Sequence, residues 1–418
     1  MYGDRSRFRS NIASFTLMPK PPFQLFVVVP PGLEALAAAE LRDAGQPVEI
    51  VRGGLSCTAG WEGLMAAHLH SRIASRVLVR VARFGARALG ELERKAGEVD
   101  WAAWIPSERL RDPSDPIPVD VSCGRSRLYH EGAVRERVLR AIGREPSDPA
   151  PSNAPGAWRL HVRVHRDTIT ISLDATGDHL HRRGYRRLTG SAPLRETLAA
   201  AALRASGWPF DRPLLDPFAG SGTIVIEGAL MARRIPPALA TASRQPPEFP
   251  FLEWEGAPAA TWTDEVGRAR DRILPGAPAP ILASDRDARS LEALAGNARA
   301  AGVEEDLSVE QASMTRASMT GGDAGWIVTN PPYGGRLGER SQLRPLYRSL
   351  GSQLAGPWSD WAFCAYVSDP VLEGALRREL SRRGAGPLES LVKTRNGGIP
   401  VTLVGRPMPP LPGPPGDP

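Results

Sequence analysis

Short apolar runs, each closed by a glycine, a proline or an acid, recur along the chain and predict strands separated by helical stretches. Phe23–Val29 is the first such run, and the leucines and alanines from Gly32 to Leu41 predict a helix after it. Arg76–Arg83 alternates charged and apolar residues, the pattern of a strand with one wet, basic face. Pro118–Val121 predicts a further strand, followed by a helix carrying Arg135, Arg137, Arg140 and Arg144; Trp158–Leu173 predicts two more alternating strands. Beyond residue 180 the pattern changes. Pro213–Asp216 is a strand feeding a glycine turn and then a helix, Thr223–Ala232, that is apolar over most of its surface, as a helix buried against a sheet is. Pro280–Asp285 repeats the strand, followed by a helix with Leu291, Leu294, Ala295 and Ala298 on one face and Gly302 as its stop.

A length of 418 residues exceeds what one growing core accommodates, so two or three domains are expected. The layout reads as a basic flexible tail over 1–22, an α+β module over 23–180, a second domain over 181–405, and a Pro/Gly-rich tail over 406–418 that is too poor in apolar residues to pack. The internal boundary is placed near Gly177–His181, and the polar stretch 145–156 is a loop inside the first module. Residues 235–280 form a proline-rich insertion. Its Phe249, Phe251, Trp254 and Trp262 are too many aromatics for a spacer, so it is expected to pack beside the active site, with a short helix near Asp264–Ile273.

Net charge is +6, which favours a polyanionic partner without deciding it. Cys57, Cys123 and Cys364 are far apart, with no spacing that suggests disulfides or zinc, and fit a reducing cytoplasm. No apolar run of about 18 residues is present to span a membrane, and the N-terminal stretch with Arg5, Arg7 and Arg9 lacks the apolar core of a secretory signal.

Two motifs carry the chemistry. The first runs Pro213-Leu214-Leu215-Asp216-Pro217-Phe218-Ala219-Gly220-Ser221-Gly222-Thr223; the second is Thr329-Asn330-Pro331-Pro332-Tyr333-Gly334. Taken alone, the first is a common glycine turn and the second a turn that could merely end a strand. Their order, and a gap of about 110 residues that holds roughly three βα units of about 30 residues each, makes them a pair. Two ligands are excluded at the glycine turn. A phosphate-binding P-loop needs a lysine, and none stands near Gly222; a dinucleotide fingerprint needs a third glycine, and Val225 occupies that position.

The pair resembles the class I S-adenosylmethionine-dependent methyltransferases that modify exocyclic amino groups of nucleobases. His181-Arg182-Arg183-Gly184-Tyr185-Arg186, Ala192-Pro193-Leu194-Arg195-Glu196-Thr197-Leu198 and Asn396-Gly397-Gly398-Ile399-Pro400 narrow it: the series is similar to the THUMP-domain guanine-N2 RNA methyltransferases, whose best-known members act on large-subunit ribosomal RNA. The resemblance covers residues 180–405 by motif and 23–180 by layout. It implies an α/β fold, with a Rossmann-like methyltransferase domain built on a mostly parallel seven-stranded sheet and preceded by an α+β THUMP-type RNA-binding module.

It also implies roles. Asp216, Pro217, Phe218, Ala219, Gly220, Ser221, Gly222 and Thr223 surround the methionine end of S-adenosylmethionine, with Asp216 fixing the ammonium directly or through water. Asp285 accepts the ribose hydroxyls and Arg286 lies beside the adenine, whereas Asp287 is the N-cap of the next helix. Ser313 stands where the family usually has an adenine-reading aspartate, which removes a charge from that hydrogen bond. The Asn330 side-chain oxygen and the Pro331 carbonyl accept the two N–H bonds of an exocyclic amine, Pro332 stiffens the turn, and Tyr333 offers a face for a flipped-out base. Arg125, Arg127 and Arg135 in the first module, and Arg186 and Arg195 at the entrance to the second, are expected on RNA phosphates. No metal is required.

The expected activity is methyl transfer to guanine N2 in large-subunit ribosomal RNA. Transfer RNA as substrate, N6-adenine methylation, and an inactive fold serving as an RNA-binding assembly factor stay open. The sequence leaves oligomeric state open too.

Overall fold

The alternation at the N-terminal end becomes β1 Phe23–Val28, α1 Glu34–Asp43, β2 Glu49–Val51, β3 Gly54–Ala59, α2 Trp61–His70 and β4 Arg76–Gly85. It continues as α3 Leu89–Gly97, α4 Ser107–Arg111, β5 Val119–Gly124, α5 Glu131–Ala141, β6 Leu160–His165 and β7 Thr168–Asp174. Then follow α6 Glu196–Ala205, β8 Leu214–Asp216, α7 Thr223–Ala232, α8 Ala259–Asp271, β9 Ile281–Asp285, α9 Ala288–Ala301, β10 Leu307–Gln311 and β11 Trp326–Thr329. The series closes with α10 Glu339–Leu354, β12 Ala362–Val367, α11 Pro370–Arg382, β13 Glu389–Asn396 and β14 Ile399–Arg406. The structure, a computed structural model, describes residues 21–112, 117–145, 158–188, 194–317, 324–333 and 339–407. The tail expected at 406–418 falls almost wholly outside these residues, as do residues 1–20 and the loop expected at 145–156, apart from Glu145.

The described residues divide into two compact units. One gathers 80–174, 250–257 and the residues up to Phe23; the other gathers 24–79, 175–249 and 258–407. The chain therefore passes from one to the other at 174/175, close to the boundary expected near residues 177–181, and also inside β4 and on either side of 250–257.

The larger unit is built on a seven-stranded sheet of order β10-β9-β8-β11-β12-β14-β13. β10, β9, β8, β11 and β12 are parallel; β14 runs antiparallel to β12, and β13, antiparallel to β14, returns to the common direction. β8 and β12 are buried on both faces, which is why they read as unbroken apolar runs rather than alternating ones. β8, first of this sheet in the chain, lies inside it with β9 on one side and β11 on the other. The chain thus switches direction across the sheet at β8, leaving a crevice at the carboxyl ends of these strands. Tyr347, Leu350 and Leu354 of α10 and Leu372, Leu376 and Leu380 of α11 pack with Phe363 and Val367 of β12 to cover one face.

The same unit contains residues 24–79, fastened by buried charge. Glu227 of α7 has no exposed side-chain surface, with Arg183 Nε at 3.5 Å and Arg72 Nη1 at 3.7 Å; the Tyr185 hydroxyl donates to its Oε1 at 3.2 Å. Glu40 of α1 accepts from Ser71 Oγ and from the N–H groups of Arg72 and Ile73. Removing one partner from such a group strands the others in low dielectric, at a cost of about 3–5 kcal/mol.

In the smaller unit the second half of β4 joins β7, β6 and β5, with α3 and α5 packed together. The basic face expected along β4 is not uniformly wet. Arg76 is buried, donating to the Gly177 carbonyl at 2.8 Å, and Arg80 donates to Ser172 Oγ at 3.1 Å. An internal strand has no edge to water, so its arginines turn along the sheet to find acceptors. The insertion also departs from expectation. Its helix starts five residues early, at Ala259. Phe249 stacks edge-on against His68 and Trp262, while Trp254 packs among Phe23, Trp104 and Trp158. None of these neighbours belongs to either motif.

Candidate active site

The two motifs meet at the ends of β8 and β11. Parallel pairing sets Trp326 opposite Leu214 and Ile327 opposite Leu215, so Asp216 and Thr329 emerge side by side. The Thr329 hydroxyl donates to Asp216 Oδ1 at 2.5 Å, and the Phe218 N–H donates to the same oxygen at 3.1 Å. Asp216 is 1 % exposed. Burial pushes its carboxyl up to about 7; these two hydrogen bonds oppose the shift, and nearby Asp285 adds to it. No cation stands beside it among the described residues, so the strand end holds a desolvated carboxyl that a positive ligand group would favour in its ionised form.

After Asp216 the backbone turns through Gly220 (φ 52°) and Gly222 (φ 87°), left-handed conformations that glycine adopts without penalty. A Cβ on Gly222 would lie 2.6 Å from Leu294 Cγ, whereas one on Gly220 would meet nothing within 4 Å. The first glycine permits close packing of α9; the second leaves open space over the loop. The Gly220 N–H donates to Asp285 Oδ2 at 2.9 Å, and the Ala219 N–H to the Ser284 carbonyl at 3.0 Å. Asp285, at the end of β9, also accepts the Asp287 N–H at 3.0 Å. Each of its oxygens keeps a lone pair for a ligand hydroxyl. Asp287 is the N-cap of α9, accepting from the Arg289 N–H. Arg286 is exposed, and its carbonyl accepts from Gln311. Ser313 lies just past β10, exposed, with its hydroxyl 3.1 Å from that of Thr315.

At the second motif the Tyr333 hydroxyl bonds the Asn330 Oδ1, and Asn396 of β13 bonds the same phenol. Burial drives the phenol's pKa upward, so Tyr333 stays a neutral donor. Tyr347 donates to the Pro332 carbonyl at 3.3 Å. The tetrad is thus clamped from β13 and α10. The Asn396-Gly397-Gly398 run was legible in the sequence as a motif; its reach to Tyr333 was not.

Residues 183–385 match the family described as "RMKL-like, methyltransferase domain", and residues 24–78 match the RlmL ferredoxin-like domain. A protein named "Putative RNA methyltransferase YpsC" from Bacillus subtilis is 30 % identical over 86 % of this chain and 92 % of its own length. The chain belongs to the RMKL-like methyltransferase family. The ribosomal RNA large subunit methyltransferase K/L of Syntrophotalea carbinolica is 36 % identical over 84 % of this chain. The chain spans about half the length of that relative, 50 % of it. Among solved structures, SMU.472, described as complexed with SAH, superposes with a TM-score of 0.77 at 27 % identity, covering 94 % of this chain and all of that one.

Within this family member the glycine loop is held by Asn297, which the sequence did not reveal, and by Arg186. Asn297 of α9 is 1 % exposed. Its Oδ1 accepts the N–H groups of Arg187 and Leu188 at 3.0 and 3.1 Å; its Nδ2 donates to the carbonyls of Leu188 and Ser221 at 3.0 and 3.2 Å. All four hydrogen-bonding capacities of the amide are used. Arg186, expected on RNA phosphate, is instead turned to the same loop: it pairs with Glu196 at 2.9 Å and donates to the Leu194 carbonyl and the Thr223 hydroxyl. Arg195 stays exposed at the start of α6. Arg125 and Arg127 are exposed, and Arg135 donates to the Val119 carbonyl at 3.0 Å.

Proposed function

We propose that this chain is an S-adenosylmethionine-dependent RNA methyltransferase that places a methyl group on the exocyclic N2 of a guanosine in large-subunit ribosomal RNA. The observation that carries it is the Thr329–Asp216 hydrogen bond, which joins the cofactor-type loop to Asn330-Pro331-Pro332-Tyr333. The loop fits the donor: a buried carboxyl without a cationic partner suits the methionine ammonium, and Asp285 suits the ribose hydroxyls. Asp216 to Thr223, Asp285, Arg286 and Ser313 line this binding region, and the Arg186 and Asn297 bonds keep the loop in shape.

Bound there, S-adenosylmethionine supplies a methyl carbon on a sulfonium leaving group. The guanine N2 lone pair is delocalised into the ring, so the protein must aim it. The Asn330 Oδ1 and the Pro331 carbonyl accept its two N–H bonds and direct the lone pair outward. The donor would give its methyl carbon to the aimed nitrogen as its S–C bond breaks, with the sulfur keeping the bonding pair and the extra amine proton passing to water. The protein's contribution is chiefly proximity and orientation. Arg125, Arg127, Arg135 and Arg195 are proposed on the RNA backbone, and no metal enters the scheme. Ribosomal RNA as substrate places the enzyme in the cytoplasm; among the described residues no helix is long and apolar enough to cross a membrane.

The test is transfer of labelled methyl to unmodified ribosomal RNA and, separately, transfer RNA, with nucleoside mass spectrometry. N2-methylguanosine confined to ribosomal RNA is the expected result. Label confined to transfer RNA would replace the substrate, N6-methyladenosine would replace the base, and cofactor binding without transfer would favour an assembly factor.

A further inference from the structure

Three loops at one end of the smaller unit are knotted through Asp167. Its Oδ1 accepts the Arg127 N–H at 2.9 Å, its Oδ2 lies 3.2 Å from Arg87 Nε, its carbonyl accepts the Ala86 N–H, and its own N–H donates to Ser126 Oγ at 3.0 Å. The β4–α3, β5–α5 and β6–β7 connections are thereby fixed to one another. Of the six non-glycine residues with positive φ among the described residues, three are Arg125 (52°), Arg166 (50°) and Asp167 (56°). Arg166 and Asp167 are the two central residues of the β6–β7 hairpin, whose tight turn calls for positive φ at both.

The knot presents Tyr129. Tyr129 is 67 % exposed, although Leu128 beside it is buried, and His130 lies against its ring with centroids 4.2 Å apart and planes tilted by 38°. Arg125, Arg127 and Arg166 are exposed and their guanidinium groups make no bond among the described residues. The neighbouring acids are already engaged. Glu131 accepts the Cys123 N–H, and Glu91 accepts from the Arg87 N–H and Lys95. A lone exposed aromatic is ordinary. One fixed on this rim beside three arginines whose guanidinium groups make no bond among the described residues has the make-up of a single-strand nucleic-acid site, where bases stack on aromatic faces and cations follow the phosphates.

We propose that Tyr129 is a stacking platform for an unpaired nucleotide of the RNA substrate, with Arg125, Arg127 and Arg166 on the phosphates flanking it. This rests on the reading that the substrate is RNA. The platform would select RNA in which a single strand adjoins the structured region that carries the target guanosine.

The experiment measures binding of the full chain, by fluorescence anisotropy, to an unstructured oligoribonucleotide of about 12 residues and to an RNA duplex of the same length. Tyr129→Ala should weaken single-strand binding about tenfold or more and leave duplex binding within about twofold. Tyr129→Phe, which keeps the ring, should stay within about threefold of the parent. Arg127→Ala should lower the salt slope for the single strand by about 0.7. The proposal is overturned if Tyr129→Ala leaves single-strand binding unchanged, if it weakens both RNAs alike, or if Tyr129→Phe loses as much as Tyr129→Ala. In those cases methyl transfer by the parent keeps the RNA reading intact. A parent chain that binds neither RNA would overturn both. Because Tyr129 is exposed, its replacement should leave the fold intact, and an unchanged melting temperature checks this.

Discussion

The strand ends of the larger unit and the Asp167 rim of the smaller one treat polar groups in opposite ways. At the strand ends, Asp216, Asp285, Asn297, Asn330 and Tyr333 are each tied to a loop or to one another. At the rim, the backbone is tied just as firmly, but among the described residues the guanidinium groups of Arg125, Arg127 and Arg166 make no bond and Tyr129 stays exposed. On the proposed reading, the difference separates two tasks. Methyl transfer needs a few groups held within a fraction of an ångström, whereas gripping a polyanion needs charge and surface that no internal partner has claimed.

The contrast predicts where substitutions will hurt most. Asn330→Ala should lower the rate of methyl transfer about 100- to 1000-fold, by analogy with losing one aimed hydrogen-bonding group in an active site. S-adenosylmethionine affinity should stay within about twofold, because the side chain serves the acceptor; an equal loss of donor affinity would show that the two halves are not separate. Asn297→Leu comes next. It leaves buried N–H and carbonyl groups unpaired at about 1–3 kcal/mol, so the melting temperature should fall and the KM for S-adenosylmethionine should rise, with RNA affinity unchanged. A fall in RNA affinity instead would break the division of labour.

Asp216 offers a subtler test. Its folded pKa of about 7 exceeds the unfolded carboxyl value of about 4, so the protonated form is the one folding favours. The stabilisation is complete below the unfolded value and is lost as pH rises through 7. Melting temperature should therefore decline between pH 5 and pH 8 more steeply in the parent than in Asp216→Asn. Donor affinity should rise over the same window in the parent, as the carboxylate that welcomes an ammonium becomes populated, and stay flat in the variant. A parallel decline in both proteins would place the titration elsewhere. The smallest effect is expected at Arg87→Ala, where an exposed pair contributes about 0–1 kcal/mol, so thermal denaturation should barely distinguish it from the parent.

Much of the larger unit was legible because burial on both faces turns a strand into an unbroken apolar run. Leu214–Asp216 announces itself that way, and Ile281–Asp285, with Leu282 half-buried, nearly so; the acid closing each is the group that reaches the loop. Asp287 was legible as a cap because short acids at helix starts have one dominant use. Asn297 was not, since an asparagine among alanines on a helix looks like surface until the segment at Arg187–Leu188 and the glycine turn at Ser221 arrive to use both ends of its amide. Arg186 misled for the same reason: an arginine near a site suggests phosphate, but Glu196 and Thr223 lie within its reach. Glu227 was half legible. Its helix read as buried, yet nothing local showed that Arg72, more than 150 residues earlier, would stand opposite. The insertion was legible as a packed segment because of its aromatics, but not what they pack against, such as His68 beside Phe249 and Trp158 beside Trp254.

The interleaving of the two units has an evolutionary corollary. Because 80–174 and 250–257 belong together while 24–79, 175–249 and 258–407 belong together, the backbone changes allegiance five times. A single recombination event between relatives cannot exchange one unit whole: any one crossover would graft a fragment whose companions come from the other parent. Shuffling should therefore be rare in this lineage, and new RNA preferences should arise by point substitution on exposed rims such as that around Asp167. The prediction for the laboratory is symmetrical. Chimaeras joined at one seam should misfold, while those matched at all five should express.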